Sequence, residues 1–449
     1  MSVVGKQGYK ETEGGWIPDS WRITTMENIA IINPSRTKPQ SEEGDVSFLA
    51  MGDVSEDGRI TNRQLRSYRE VAKGFTSFID GDVLVAKITP CFENGKGALV
   101  TGLLGGVGFG STEFHVVRAK GDQTAPEFLH LHTRSDRFRK LGERNMVGSA
   151  GQKRVPTDFL RKYPIVLPPL PEQVKITAIL TAVDDKLDVI TRQIEATQAL
   201  RCGLMQTLFS RGVGVQEADG RWVPHAEFKD STLGEIPVGW EIGVVGTYVS
   251  ALRSGVSVNA EDRIHGDDEI GVLKVSSVFK GQFHPDEHKT VLPDEMSRVA
   301  EPVEQGRIII SRANTPVLVG ESAYVDSSRP DLFLPDKLWQ TQASDEIHSV
   351  KWLAFFLQSQ FVRQEISKAA TGTSGSMKNV SKSAFLSIPM PLVPIDEQKK
   401  VANVLTTVSR KLDALTDKQF HYHELKRGLM QKLLTGEWRV KLDAEAATI

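Results

Sequence analysis

Long apolar runs are missing from this 449-residue sequence. No stretch is long enough to cross a bilayer, and the first residues lack the apolar core of a secretory leader. Cysteine is nearly absent as well. Cys91 and Cys202 are the two present, too few for a disulfide framework and in keeping with a reducing compartment. These absences predict a soluble, cytoplasmic protein without a membrane role. An excess of one charge is also lacking, since the formal net charge is −2. Residues 213–394 carry 17 basic and 24 acidic side chains. That local excess of acid argues against a simple polyanion binder, because net charge governs non-specific association.

Recognisable catalytic chemistry is missing too. Gly102–Gly110 is glycine-rich but is neither a phosphate loop nor a dinucleotide fingerprint, and reads as a turn between strands. Asn33-Pro34-Ser35-Arg36 has the first half of an amino-methyltransferase motif and lacks the aromatic that would stack on a flipped base. His284 and His288 have helical metal-ligand spacing, but Pro285 lies between them, so they read as exposed loop histidines. His130/His132 and His421/His423 fall on opposite faces of a helix and make poor paired ligands. The sequence therefore predicts no catalytic residue and no metal ligand.

What the sequence does contain is a duplication. Pro169-Leu170-Pro171-Glu172-Gln173 returns as Pro394-Ile395-Asp396-Glu397-Gln398, 225 positions later. The same offset joins Gly203-Leu204-Met205-Gln206 to Gly428-Leu429-Met430-Gln431, and Lys186-Leu187-Asp188 to Lys411-Leu412-Asp413. Ile17-Pro18-Asp19-Ser20-Trp21 returns as Ile236-Pro237-Val238-Gly239-Trp240 at an offset of 219, so a six-residue difference lies inside the copies. The segment Gly148–Val155 matches Thr373–Val380, back at 225. A period this long marks a duplicated domain, not a solenoid. Between the shared segments the copies look unrelated, as expected of one scaffold that reads two targets.

After each Glu-Gln, apolar residues step by four and three. The series are Ile176, Leu180, Val183, Leu187, Ile190, Ile194 and Val401, Leu405, Val408, Leu412, Leu415. This is the seam of a coiled coil. Each helix should run about 40 residues, roughly 60 Å, from its proline to Gly212 or Gly436. Helices of this length pair with another helix, and the nearest partner is the other copy. Polar seam members (Thr197, Arg201, Gln419, Lys426) can fix register or sit where the pair splays. The divergent segments read as mixed α/β. Strands are expected at Gly81–Ala86, Glu113–Val117 and Arg307–Ser311, and helices at Phe128–Leu141 and Val350–Ile366.

Pro169–Gln173 leading into a long helix, that helix closing on Gly203–Phe209, and the same pair of motifs recurring after a second variable segment resemble the DNA-specificity subunit of type I restriction–modification systems. The resemblance covers essentially the whole chain. It implies an α+β protein in which two mixed α/β target-recognition domains are separated by two long antiparallel coiled-coil helices, with internal pseudo-two-fold duplication. The corresponding boundaries are 1–169 (first recognition domain), 170–212 (first helix), 213–394 (second recognition domain), 395–436 (second helix) and 437–449 (C-terminal tail). It implies a non-catalytic subunit that reads a bipartite site in double-stranded DNA. Two modification (methyltransferase) subunits and a restriction/translocase subunit would be its partners. S-adenosylmethionine and ATP with Mg would bind those subunits and no cofactor this chain.

Glu172, Gln173, Glu397 and Gln398 would then lie at the docking surface for the partners. Pro-Ile-Asp in the second copy departs from the usual Pro-Leu-Pro. Candidate DNA contacts are loop residues of the kind that reach bases and phosphates. In the first copy they are Lys87, Thr89, Lys96, Gln152, Lys153 and Arg154. In the second they are Arg312, Asn314, Ser376, Lys378 and Asn379. The aligned lysines, Lys153 and Lys378, suit phosphates. Competing readings are a helix-mediated scaffold with no nucleic-acid role, which the acidic third segment favours, a self-sufficient enzyme, and for each candidate an ordinary solvated side chain.

Overall fold

The computed structural model describes residues 7–12, 15–149, 151–372 and 377–442. The chain divides into two modules, and the division runs through both long helices. One module holds residues 1–191 and 417–449, the other 192–416. The helices span Leu170–Ser210 and Ile395–Leu434. Each is followed two residues later by a glycine in the left-handed region, Gly212 (φ 69°) and Gly436 (φ 76°). That conformation is cheap for glycine and unfavourable for other residues.

Within the first module the two helix segments run antiparallel. Lys426 pairs with Asp184, and one heptad along, Gln419 Nε2 donates to Thr191 Oγ1 at 2.8 Å. Ile176 and Leu180 share a core with Leu433, Leu434, Trp21 and Phe128. Within the second module Leu208 and Phe209 share a core with Val401, Ala402 and Leu405, the pairing that an antiparallel seam requires. The two ends of the seam thus lie in the domain cores, where most helical stability originates, while Val183, Ile194, Val408, Leu412 and Leu415 between them are only partly buried.

The interiors of the copies, unrelated in sequence, have one topology. In the first module a four-stranded sheet runs in the order 30–32, 114–119, 82–86, 97–99. In the second the order is 249–254, 338–343, 308–311, 322–324. A further sheet runs 64–67, 45–49, 107–110, 76–79, and its counterpart runs 288–291, 271–273, 329–333, 302–303 with one added edge strand, 260–261. Even the parallel pairs correspond: Gly108 faces Ser47, and Leu332 faces Gly271. A short pair, 22–25 with 164–167 or 241–244 with 389–392, joins the two ends of each domain. The sequence offset grows between strands 30–32 and 45–49, where the second copy inserts its edge strand.

The expected strands form at Asp82–Ala86, Phe114–Ala119 and Ile308–Ser311. The two expected helices each break in two. Ser135 Oγ accepts from Phe138 N and Ser359 Oγ from Val362 N. Each serine thereby caps a new helix inside a continuous apolar pattern. Gly102–Gly110 is only half a turn, because Val107–Gly110 is a strand. A Cβ on Gly108 or Gly110 would collide with Phe78 or with the Leu49 carbonyl. His288 is not an exposed loop histidine. It is buried at 2% exposure, with Nδ1 on the Pro285 carbonyl at 2.7 Å and Nε2 accepting from His265 N at 3.2 Å. Asn33 stands at φ 51° and its side-chain oxygen accepts from Val116 N, so it shapes a strand end.

His132 gives the first module a pH dependence. It is buried beside Phe128, its Nε2 has no hydrogen-bond partner, and burial pushes its pKa down to about 3. An unfolded imidazole titrates near 6.5. Between those values the unfolded state binds the extra proton, so stability is full above about pH 6.5 and is lost as pH falls toward 3. Denaturant unfolding at pH 7 and pH 5 should show the parent first module losing about 2 kcal/mol more than a His132→Leu variant. Equal losses would contradict this.

Candidate nucleic-acid interface

In the first module the strand Asp82–Ala86 delivers the chain to residues 87–96, and residues 147–155 lie alongside. Val155 N donates to Lys87 O at 2.8 Å and Thr89 N to Lys153 O at 2.9 Å. Val147 and Arg154 exchange two backbone bonds of 3.0 and 2.8 Å. Beneath it, His115 Nε2 donates to the Val155 carbonyl at 2.8 Å while its Nδ1 accepts from Asn33 at 3.2 Å. Burial holds this imidazole below its usual pKa, so a neutral ring supports the loop.

The second module repeats the arrangement. Val380 N donates to Arg312 O at 3.1 Å, and Thr371 and Asn379 exchange bonds of 2.8 Å each. Ala313–Asn314 pairs with Lys378–Asn379 as two short antiparallel strands. The expected site residues therefore come together in both copies. Ser376 lies outside the described residues.

Their side chains are not equally free. Gln152, Lys153 and Asn379 are exposed. Arg154 forks onto Glu113, with Nε and Nη2 at 3.0 Å; the Arg154 bond holds the Glu113 carboxyl below its usual range. Thr89 Oγ1 donates to Glu93 at 2.7 Å. Lys96 Nζ reaches the Met51 carbonyl at 3.3 Å. Arg312 Nε donates to Asp336 O at 2.8 Å. Asn314 accepts from Thr315 N at 2.8 Å, and Lys378 Nζ donates to Gly372 O at 3.1 Å. These last groups shape the loops first, and a DNA contact would have to share or displace those bonds.

The four residues expected to face a docking partner do something else. Glu172, Gln173, Glu397 and Gln398 are at most 2% exposed, so they are corrected from partner contacts to internal ties. Trp21 Nε1 donates to Glu172 Oε2 and Trp240 Nε1 to Glu397 Oε2, each at 3.0 Å. Gln173 accepts from Ala125 N at 2.9 Å and donates to Pro168 O at 3.0 Å. Gln398 accepts from Ser349 N at 2.7 Å and donates to Val393 O at 2.8 Å. The second carboxylate oxygen of each Glu holds the segment that follows the other helix. Arg439 Nη2 reaches Glu172 at 2.5 Å. Val213 N and His225 reach Glu397 at 2.8 and 3.0 Å. The segment expected to be a tail thus packs, through residues 437–442, on the first module. The signal for these ties was in the sequence: both tryptophans and both Glu-Gln pairs recur in the two copies.

Among the described residues no helix is long and apolar enough to cross a membrane. Among them, too, no cluster of three His, Cys, Asp or Glu side chains could hold a metal.

The family model "Type I restriction modification DNA specificity domain" matches residues 18–198 and 296–420, more than half of the chain. The type I restriction enzyme EcoEI specificity subunit of Escherichia coli is 27% identical over 473 residues, covering 89% of this chain and 79% of that protein. The EcoAI specificity subunit of Escherichia coli is 39% identical over 220 residues, 48% of this chain and 37% of its own length. The type I restriction–modification S subunit from M. genitalium shares the fold, with a TM-score of 0.55, 15% identity and coverage of 97% of this chain and 99% of that one.

Replacing Glu397 by Ala would strip the acceptor from the Trp240 indole, from Val213 N and from His225 at once. A buried donor left unmet costs about 1–3 kcal/mol. The second module should lose about 3 kcal/mol while the first is unchanged, with Glu397→Gln intermediate. Amide hydrogen exchange resolved by module measures this, and a uniform or absent loss would show that the tie is not structural.

Proposed function

This chain belongs to the type I restriction–modification DNA-specificity family, and from that membership we infer that each module reads one half of a bipartite DNA site. The protein recognises DNA sequence for a restriction–modification complex, and it is a non-catalytic subunit. It assembles with modification and restriction subunits. In our reading two modification subunits join it, S-adenosylmethionine and ATP with Mg bind the partners, and the complex works in the cytoplasm where DNA is available. One observation carries the bipartite reading: the same pair of loops stands at the same topological place in both modules, with unrelated polar side chains around a retained lysine, Lys153 or Lys378. A common frame that varies its loop chemistry is what two different half-sites require.

Two experiments test this. Replacing residues 33–155 by the equivalent segment of a relative should change one half of the methylated sequence and leave the other intact, read by methylome sequencing. A change in both halves, or a contiguous site, would refute the modular reading. Separately, Lys153→Glu should weaken binding across all sequences and lower the salt slope by about 1 or more, without altering base preference, because a phosphate contact adds counterion release and little direct sequence information. An unchanged affinity and slope would return Lys153 to an ordinary surface residue.

A further inference from the structure

Beyond the Glu-Gln ties, each module touches its helices at a second place, and the two places are equivalent. In the first module, strand Asp45–Leu49 and a short 3-10 turn, Met51–Asp53, lead into a loop whose Gly58 is left-handed, φ 85°. In the second, strand Gly271–Leu273 and the turn Val275–Ser277 lead into a hairpin with Lys280 (φ 50°) and Gly281 (φ 79°) at its tip. Two consecutive positive φ values are the signature of a type I′ hairpin. A Cβ on Gly58 would stand 2.6 Å from Arg134 Cδ. One on Gly281 would collide with Gln358 Oε1. Each glycine lets its loop sit flat on the end of the same domain helix.

The residue after each glycine then reaches a helix carboxylate. Arg59 pairs with Asp188, and Gln282 Nε2 donates to Asp413 at 2.5 Å. Asp188 and Asp413 are equivalent, 225 apart. The end of the domain helix contributes as well: Arg134 reaches Asp184 at 3.3 Å, and Gln358 accepts from Arg201 at 2.6 Å. The cation from the opposing helix is equivalent too. It is Lys426, paired with Asp184, in one module and Arg201 in the other, again 225 apart. Two of the four polar seam residues, Lys426 and Arg201, therefore lie at this contact, while Gln419 bonds Thr191 and Thr197 its own helix backbone. Lys426 is only 9% exposed, and burial holds both cations below their usual pKa. Lys426 is kept there by its pairing with Asp184, as a buried charge requires, whereas Arg201 has the Gln358 amide oxygen for one Nη and no hydrogen-bond partner at its buried Nε. The copies keep the geometry and change the chemistry, ionic in the first and largely amide in the second.

The position of this contact decides its use. From Glu172 to Asp188, and from Glu397 to Asp413, are 16 residues of helix, about 24 Å. A domain tied only at the helix start could swivel about that tie. A second tie some four turns along fixes its rotation. We propose that Arg59, Arg134 and Lys426 in the first copy, and Gln282, Gln358 and Arg201 in the second, are positioning residues that hold each recognition domain in register on the helices and so set the half-site it accepts. The half-site part rests on the functional reading above; the registering contact does not.

The test uses the complete complex with its modification subunits. Arg59→Ala and Asp188→Ala should speed amide exchange in residues 55–60 about tenfold, the size of one lost charged hydrogen bond. They should lower discrimination against base changes in the first copy's half-site by a similar factor and leave the other half-site unchanged. Arg59→Lys should restore most of both. In the second copy Asp413→Asn, which still accepts from Gln282, should behave as the parent, whereas Asp413→Leu should free residues 278–283 and blunt only the other half-site. Unchanged exchange would overturn the contact. Faster exchange with unchanged discrimination, or loss at both half-sites together, would overturn the positioning role. If the parent complex shows no base preference, the functional reading falls by itself and the contact is judged on exchange alone.

Discussion

The structure depends on a carboxylate buried at the start of each long helix. Glu172 and Glu397 each accept an indole N–H from the tryptophan that opens the domain. With the other oxygen each holds a segment that has just left the opposing helix. One side chain thus joins three stretches of chain far apart in sequence. The neighbouring glutamine joins two more backbone segments. A buried carboxylate is tolerated only when its oxygens are satisfied, so the ties form together or not at all. That requirement explains why the Ile-Pro-x-x-Trp and Glu-Gln motifs recur as a set.

The ties also show that a domain is not a continuous stretch of sequence here. Each module takes its own fold, the start of one helix and the end of the other, and the module boundaries fall inside both helices. The sequence motifs mark helix starts, so a reading from sequence draws its boundaries there, at 169/170 and 394/395. Packing draws them elsewhere, because Leu433 and Leu434 belong to the first module's core and Leu208 and Phe209 to the second's. Residues 437–442 cannot be a free tail for the same reason: Arg439 supplies the cation that Glu172 requires.

Much of this was legible in the sequence. The helices, their seam and the duplication follow from the four-three spacing and the 225-residue offset, since packing against a partner helix demands that period. The loops carrying Lys87, Lys153, Arg312 and Lys378 were found because the shared frame brackets them. Three things were hidden. The common topology of the interiors was invisible because strand order is fixed by backbone pairing, which leaves the facing side chains free to differ. The helix breaks at Ser135 and Ser359 lie inside unbroken apolar patterns, where one capping hydroxyl decides. The inward role of Glu172 and Glu397 was misread because a charged residue at a helix start is usually solvated.

The same logic orders the candidate interface. A loop that presents variable side chains must be held by bonds that do not depend on them. Backbone exchange between Val147 and Arg154, and between Thr371 and Asn379, supplies that frame in each copy. Arg154 is then drawn to Glu113 and Lys378 to the Gly372 carbonyl, while Lys153 stays exposed. Aligned lysines need not be equivalent in use: the frame fixes where each begins, and local carbonyls and carboxylates fix where its charge ends. Divergence of function within the duplicated scaffold can therefore proceed by re-pairing loop cations one at a time, with the buried ties at the helix starts left untouched.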